Sequence, residues 1–202
     1  MRRSQRRHAQ PASPRERVLA AMEEGLDSGF PVVPPYLNIL LRDRWSELTD
    51  QPWWALALGG PERVVAVYRD LLRRVSIDWV QLLTAPPRSA REGARVRGDI
   101  VVLGSGRVIR RPRAGGERSS LKGVGLPDEE LVKSVVVRRK WEILESGKLD
   151  FAGAVVRELG GGYFTLAKVS SPLWAAIVHV GFPRALHLYR RPGVLGGSRR
   201  GC

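Results

Sequence analysis

The sequence has almost no cysteine, few histidines and no long apolar run. Its only cysteine, Cys202, is the last of 202 residues, so this chain has no internal disulfide and no cysteine cluster for a metal. The histidines, His8, His179 and His187, lack the spacing and the carboxylate neighbours of zinc sites. No stretch approaches the roughly 20 apolar residues that span a bilayer, and the arginine-rich start leads into no apolar signal core. We therefore expect a cytoplasmic protein with no metal, no cofactor within this chain and no membrane partner.

The positive charge is large and unevenly distributed. The formal net charge is +14, and arginine outnumbers lysine 29 to 5. Residues 1–17 hold six arginines and one glutamate, residues 88–118 nine arginines and three acids, and residues 184–202 five arginines and no acid. The rest of the chain is nearly neutral. We therefore expect nucleic acid not to be the main partner, and we keep a basic nucleic-acid-binding protein as the alternative.

The first 48 residues contain a leader, two helices and a strand. Residues 1–14 are polar, arginine-rich and interrupted by prolines, which predicts a disordered basic leader. Apolar residues recur at helical spacing from Arg15 to Gly25. Phe30–Tyr36 is a short apolar run whose prolines exclude a helix, and we predict the first strand of the fold there. Residues 37–48 have one apolar face and predict an amphipathic helix.

A second strand follows after another helix. Gly59-Gly60-Pro61 places a proline near a helix start, and apolar residues repeat at helical spacing down to Leu72. Residues 76–83 are apolar on both faces after Asp78, as expected of a buried parallel strand. Strand, crossover helices and strand make a βαβ unit, so the fold class is α/β.

Residues 84–126 form an excursion that is rich in Arg, Gly, Pro and Ser. Within it, Arg95–Leu103 and Arg107–Arg111 flank Gly104-Ser105-Gly106, which predicts a β-hairpin. A helix start with an acidic first turn is predicted at residues 127–130.

The C-terminal part returns to the β/α pattern. Leu149–Leu159 has helical periodicity, Tyr163–Ser170 is rich in β-branched and aromatic residues and predicts a strand, and Leu173–Val180 predicts another helix. A last helix is predicted at residues 185–191, followed by an irregular tail at residues 193–202. We therefore predict one domain over residues 15–192.

Few residues have the pattern of a chemical site. An acid at the start of a buried strand needs a partner, so Asp78 either binds backbone amides or takes part in chemistry. Ser170 and Ser171 follow a strand at its carboxyl end, where barrel enzymes place their sites, and they contact a substrate or form a turn. Tyr36 occupies the corresponding end of the first predicted strand.

Several short segments follow one another in an order that is itself informative. They are Glu16–Met22, Pro31–Tyr36, Val67–Leu72, Ile77–Val80, Leu149–Ala152, Leu166-Ala167 and Ser171–Trp174. In this order they resemble the uroporphyrinogen decarboxylase superfamily, which also includes the cobamide-dependent methyltransferases acting on coenzyme M. The resemblance covers roughly residues 15–192 as a diffuse pattern.

This resemblance implies a (β/α)₈ TIM barrel with its site at the carboxyl ends of the strands. It implies a lyase of porphyrin biosynthesis or a corrinoid-linked methyltransferase, with a tetrapyrrole or corrinoid ligand. The family's carboxylate-binding arginines correspond to the segment Pro34–Asn38, so Arg42 or Arg44 would have to replace them. Tyr36 and Asn38 are then the candidate substrate-binding residues in that segment.

The length of the chain limits how much of such a barrel it holds. A complete barrel takes at least about 200 residues and typically about 250. Without the leader and the excursion, this chain has room for three or four β/α units. We therefore predict a partial barrel, the N-terminal part of a truncated chain, which self-association or a second chain would complete. A non-functional gene fragment is the remaining alternative.

Overall fold

The structure is a computed structural model that describes residues 13–23, 25, 30–111, 127, 130, 139–169, 171, 173–174, 177 and 180–190. The described part is a mixed α/β protein. Its helices are α1 (Pro14–Glu23), α2 (Leu37–Asp43), α3 (Trp45–Leu48), α4 (Ala55–Leu58), α5 (Gly60–Arg74), α6 (Arg88–Glu92), α7 (Lys140–Glu145), α8 (Asp150–Leu159) and α9 (Phe182–Tyr189). Its strands are β1 (Trp79–Leu82), β2 (Arg95–Arg97), β3 (Ile100–Val102), β4 (Val108–Arg110) and β5 (Phe164–Ala167).

The described strands form two small sheets. β1 and β5 pair in parallel, with Trp79 opposite Phe164 and Leu82 opposite Ala167. β2, β3 and β4 form an antiparallel sheet in that order. No closed barrel forms among the described residues. The predicted α/β class is confirmed at this level.

The described residues divide into two compact units. The first contains those within 1–116 and 140–168, and the second contains those within 117–139 and 169–202. The predicted leader, the tail at 193–202 and most of the predicted helices at 127–130 and 173–180 lie outside the described residues.

The first helix begins with reciprocal capping. The Ser13 hydroxyl accepts a hydrogen bond from the Glu16 backbone N–H at 3.3 Å, and the Glu16 carboxylate accepts one from the Ser13 N–H at 2.8 Å. Pro14 occupies the first helical position, where its missing N–H costs nothing. The helix therefore starts one residue before the predicted Arg15.

The predicted strand at residues 30–36 is wrong. The segment has no regular secondary structure, although it lies beside β1: the Asp78 backbone N–H donates to the Val32 carbonyl oxygen at 2.8 Å. The Val32 N–H is occupied by the Asp78 carboxylate, and the prolines of the segment have no N–H to donate. These missing donors disfavour a regular ladder, and the segment forms no strand.

The single helix predicted at residues 37–48 is two helices, α2 and α3. Arg44 leaves the helical conformation between them, with φ −125° and ψ 26°. Leu37, Leu41 and Leu48 are nevertheless buried, as the predicted apolar face requires. The periodicity correctly predicted which residues are buried. The break at Arg44 divides the helix but leaves these leucines in the core.

The main core of the first unit lies between the parallel sheet and its helices. α5 packs on α8, α8 contacts β1, and α1 contacts both β1 and β5. The predicted helices after Gly59 and at Leu149 agree with α5 and α8 to within a residue or two. The largest fully buried side chains of this core are Tyr68, Phe151, Leu37, Leu41, Leu71, Val64, Val67, Val80 and Val155.

The predicted hairpin of the excursion is a three-stranded antiparallel sheet. β3 and β4 form the hairpin around Gly104-Ser105-Gly106, but the arm predicted at Arg95–Leu103 turns back at Gly98 and divides into β2 and β3. Gly98 has a φ of +55°, a left-handed conformation that glycine adopts at little cost. Val101 and Leu103 pack against Trp53 and Trp54 to form a second, smaller core.

The second unit is described mainly through α9. The helix begins at Phe182 with a proline in its first turn, three residues before the predicted start. Ala185 and Leu188 face Val180 and Ile177 in a small apolar cluster.

Candidate ligand-binding site

A cavity of about 210 Å³ lies in the first unit beside the carboxyl-terminal half of β1. It exceeds the engineered cavity of about 150 Å³ that binds benzene. It is smaller than the pockets of roughly 300 Å³ and above that hold drug-sized ligands. Its apolar lining consists of Leu37, Leu41, Trp45, Trp53, Leu56, Ala57, Leu83 and Ile109. A ligand with one ring or two fused rings matches this space.

Two arginines from different parts of the chain line the same cavity. Arg42 comes from α2, and Arg111 follows β4. Arg42 makes two hydrogen bonds to the neighbouring Asp43, at 2.6 and 2.9 Å, and these lower the pKa of that carboxyl. Arg111 lies 3.6 Å from Asp99. Both ion pairs are exposed to solvent, so a ligand anion can compete for either guanidinium.

One of the residues that line the cavity is a buried polar side chain with an unused acceptor. Gln81, on β1, is only 8% exposed, and its Oε1 has no hydrogen-bond partner among the described residues. An unpaired buried acceptor typically costs about 1–3 kcal/mol. Oε1 itself has almost no accessible surface, so a ligand donor would reach it only if the Gln81 amide turned toward the cavity.

The aromatic residues of the cavity have their own polar atoms occupied. The indole N–H of Trp45 donates to the Gln51 carbonyl oxygen at 2.7 Å, and that of Trp53 donates to the Gly98 carbonyl oxygen at 3.3 Å. Each indole ring thus keeps its orientation and can offer an apolar surface to a ligand.

Among the described residues, the lining holds no aspartate, glutamate, histidine, lysine or cysteine. Its one weak acid, the Tyr68 hydroxyl, is buried, and burial raises its pKa well above the ordinary value. Tyr68 is therefore protonated at neutral pH and donates to the backbone oxygen of Gln81. General acid–base catalysis needs a group that titrates near neutrality, and the described lining of this cavity contributes none.

Asp78, a candidate site residue, lies at the other end of β1. One oxygen of its carboxylate accepts a hydrogen bond from the Val32 N–H at 2.7 Å, and the other accepts two from the Arg17 guanidinium, one of them at 3.0 Å. Three residues of strand separate Asp78 from Gln81, about 10 Å. Asp78 therefore joins α1, the 30–34 segment and β1, and it does not line the cavity.

Tyr36 and Asn38, the two candidates from the first predicted strand end, have different surroundings. Asn38 is exposed and lines the cavity near Arg42 in α2. Tyr36 is 55% exposed and outside that lining, with Lys168 Nζ 4.6 Å from the centre of its ring. That contact is a cation–π interaction at the carboxyl end of β5.

The two candidate serines are not brought to the cavity by anything the structure describes. Ser170 lies outside the described residues. Ser171 belongs to the second unit, is exposed, and accepts a hydrogen bond from the Trp174 N–H at 3.1 Å through its hydroxyl. This contact is the kind that a turn-forming serine makes.

A second cluster of charges holds the excursion against α8. Asp150, at the start of α8, accepts hydrogen bonds from Arg91 at 2.6 Å and from Arg88 at 3.0 Å. Burial alone would raise the pKa of Asp150, but the hydrogen bonds and charges of Arg91 and Arg88 outweigh it and lower the pKa. Arg91 Nε is buried without a hydrogen-bond partner among the described residues, but both arginines pair with Asp150, so we assign the cluster a structural role.

Sequence reasoning did not identify Gln81 and Arg111 as site residues. Gln81 is a polar residue inside a run predicted to be buried on both faces, and that mismatch could have drawn attention to it. Arg111 has no such signal, because its position depends on how the antiparallel sheet packs against Trp53.

The chain matches no protein-family model, no curated protein and no solved structure. Across the described ranges, every helix is too short or too polar to cross a membrane. In the same part of the chain, no three or more His, Cys, Asp or Glu side chains are grouped so that they could hold a metal ion.

Proposed function

We propose that the first unit binds a small anionic ligand that has a flat apolar ring and a hydrogen-bond donor. The observation that carries this proposal is an apolar cavity lined by Arg42, Arg111 and Gln81, whose buried Oε1 has no hydrogen-bond partner among the described residues. The donor would satisfy Oε1, and the guanidinium groups would pair with a carboxylate or phosphate. The apolar lining, with Trp45 and Trp53, would enclose the ring.

We further propose a uroporphyrinogen decarboxylase-like protein, with tetrapyrrole-decarboxylase or corrinoid-methyltransferase ancestry. A pyrrole ring with carboxylate substituents combines an N–H donor, a flat ring and a negative charge, and the cavity volume matches one such ring. Arg42 lines the cavity and would replace the carboxylate-binding arginines that this family has after its first strand. Because the lining has no general acid or base, the proposed activity is binding rather than turnover.

The order of segments across the parallel sheet supports a partial β/α barrel. Asp78 is hydrogen-bonded to segment 30–34 and to β5. Its N–H donates to the Val32 carbonyl oxygen, and its own carbonyl oxygen accepts from the Phe164 N–H. Segment 30–34, β1 and β5 are thus neighbours in space in their chain order. α5 and α8, in the two connections between them, pack on each other. A parallel strand pair whose connections hold packed helices is typical of the start of a (β/α)₈ barrel.

In this arrangement the outer edge of β5 has no strand partner among the described residues. We propose that further β/α units, from a second chain or a second copy, cover it. Light scattering on the purified chain should then show a dimer or larger assembly; a monomer at high concentration would exclude completion by a second copy.

Calorimetric titration with matched probes tests the ligand chemistry. Indoleacetate carries a ring, an N–H and a carboxylate; benzofuranacetate replaces the N–H by an acceptor oxygen, and methylindole lacks the carboxylate. We expect indoleacetate to bind and each analogue to bind about tenfold more weakly, since each loses one hydrogen-bonded or charged contact. Porphobilinogen, a pyrrole with two carboxylates, tests the family proposal separately.

Variants assign the contacts to residues. Arg42→Gln and Arg111→Gln should each weaken indoleacetate binding about tenfold. The matched control is Arg69→Gln, which removes an exposed arginine of α5 that pairs with Glu158 at 2.7 Å and does not line the cavity. Equal affinity for all three variants, or equal affinity for indoleacetate and benzofuranacetate, would contradict the proposed site.

A further inference from the structure

The antiparallel sheet has two faces with different chemistry. Its register places Arg97, Ile100 and Arg110 in one row across the strands, and Val96, Val101 and Ile109 in the next. Neighbouring rows point to opposite faces because side chains alternate along a strand. Val101 is fully buried, and it and Ile109 belong to the small core with Trp53. The row with Arg97 and Arg110 therefore points away from that core.

Arg95, Arg97 and Arg110 all point to this outer side, and we call them the basic face. Each is exposed, and none has an ion-pair partner among the described residues. Asp99, the acid in the turn between β2 and β3, pairs with Arg111 instead. The positive charge of the basic face is thus not neutralised by the described part of the chain.

The strand geometry sets the spacing of these arginines. Arg95 and Arg97 are two residues apart on one strand, about 6.6 Å. Arg97 and Arg110 lie across β3 from each other, two strand spacings or about 9.6 Å. Between them β3 contributes Ile100 and Val102, neither of which is acidic. Three guanidinium groups at these spacings on one face of a sheet suit an extended row of anions better than a single small one.

We propose that the basic face binds the phosphate backbone of a nucleic acid without reading its bases. The face has no aromatic side chain on which a base could stack, so the contacts are to phosphates and sequence-independent. Val108 is its one exposed large apolar side chain, whereas membrane-surface helices combine basic residues with several such side chains. This binding does not depend on the cavity, whose Ile109 and Arg111 lie on the opposite face.

Only some of the arginines in residues 88–118 are available to contact a nucleic acid. Arg88 and Arg91 are engaged by Asp150, and Arg111 lines the cavity beside Asp99. Of the other described arginines in this range, Arg107 lies in the turn before β4, and Arg95, Arg97 and Arg110 share one face of the sheet.

Salt-dependent binding of the intact chain to DNA tests this proposal. Affinities for a labelled oligothymidylate and for a mixed-sequence duplex are measured between about 50 and 200 mM salt, where counterion release dominates. Three neutralised phosphates contribute about −2.7 to the slope of log K against log salt for a duplex. The triple variant R95Q/R97Q/R110Q should therefore reduce the magnitude of the slope by about 2.7 for the duplex and by about 2.1 for the single strand, whose slope is about −0.7 per phosphate.

The matched control removes the same charge elsewhere. R69Q/R73Q/R157Q changes three exposed arginines on α5 and α8 that pair with acids, so its slope should stay close to that of the unchanged chain. If the triple basic-face variant does not fold, as judged by circular dichroism, R97Q and R110Q alone should each lower the slope by about 1.

Several results would overturn the proposal. They are equal losses in the two triple variants, no DNA binding by the unchanged chain at low salt, and an unchanged slope in the basic-face variant. Binding to phosphatidylserine vesicles that requires the basic face, in the absence of such binding to DNA, would also overturn it and assign the face to an anionic membrane surface.

Discussion

At the start of β1 the Asp78 carboxylate accepts hydrogen bonds from the Val32 backbone and the Arg17 guanidinium, whereas Gln81 Oε1, three residues further along, accepts none from the described part of the chain. Both side chains are at least nine-tenths buried. At the amino end of the strand, the fold itself supplies every partner, and the polar group holds segments together. At the cavity the fold leaves one acceptor unused, and this difference separates a structural polar residue from a candidate binding residue.

The largest expected effect concerns Asp78, at the amino end of β1, where the carboxylate has hydrogen-bond partners. Asp78→Ala removes the acceptor of the Val32 N–H and leaves Arg17 without its partner. We expect the free energy of unfolding to fall by about 2–3 kcal/mol, less than for a fully buried pair, because the Arg17 side chain is 36% exposed. Urea denaturation measures this. Asp50→Ala, which removes an 86% exposed partner of Arg74, should change the value by less than about 0.5 kcal/mol.

Tyr68→Phe tests whether a hydrogen-bonded polar group beside the cavity, the Tyr68 hydroxyl, stabilises the fold as Asp78 does. The variant leaves the buried Gln81 carbonyl oxygen without the hydroxyl that donates to it. We expect a loss of about 1.5 kcal/mol in the same urea experiment, since a buried acceptor becomes unsatisfied. No loss would show that water replaces the hydroxyl and that the cavity is wetter than its apolar lining suggests.

Asp150→Asn tests a paired acid at the carboxyl side of the sheet. The pKa of Asp150 is lower in the folded protein than its ordinary value of 3.8, so its ion pairs stabilise the fold above that pH. We expect the variant to lose about 1 kcal/mol at neutral pH, because Arg88 is largely exposed and its share is screened. The difference should shrink as the pH falls below 3.8 toward the folded pKa. A difference that is independent of pH would mean that packing, and not charge, connects α6 to α8.

Gln81→Leu should give the smallest effect and the opposite sign. Replacing an unpaired buried amide by an apolar side chain of similar size should raise the free energy of unfolding by about 0.5–1 kcal/mol. The same variant should bind indoleacetate no better than benzofuranacetate, because the acceptor that distinguishes them is gone. A destabilised variant would show that Gln81 Oε1 has a partner in solution, and the contrast with Asp78 would disappear.

The elements that sequence predicted well are those whose signal is local. α5 and α8 have apolar stripes over about three turns or more, and the mainly apolar run around Val80 predicted a buried parallel strand. Periodicity over such lengths reflects burial directly.

The failures occurred where a distant residue decided the local structure. Residues 30–34 have the composition of a strand, but the Asp78 carboxylate, 46 positions after Val32, takes the amide that a ladder would need. The division of the Arg95–Leu103 arm depended on a single glycine with positive φ. Neither event changes the hydrophobic pattern, so a reading of that pattern misses both.

The site was predictable only in part for the same reason. Asn38 and Arg42 follow the first predicted strand, and both line the cavity. Arg111 reaches the cavity from a distant part of the chain through the antiparallel sheet. Its role depends on which face of β4 meets Trp53, and alternation along a strand does not specify which face is inside.

The three-residue strand β4 serves two surfaces at once. Ile109 lines the cavity and Arg110 belongs to the basic face. Deletion of one residue in this strand would therefore turn an arginine toward the cavity and an isoleucine toward the basic face. Point substitutions behave differently, because alternate positions can vary without affecting each other's surroundings. During evolution, arginines of the basic face could therefore be gained or lost without a change in the residues that line the cavity. Lining residues could likewise be substituted without a change in the charge of the basic face.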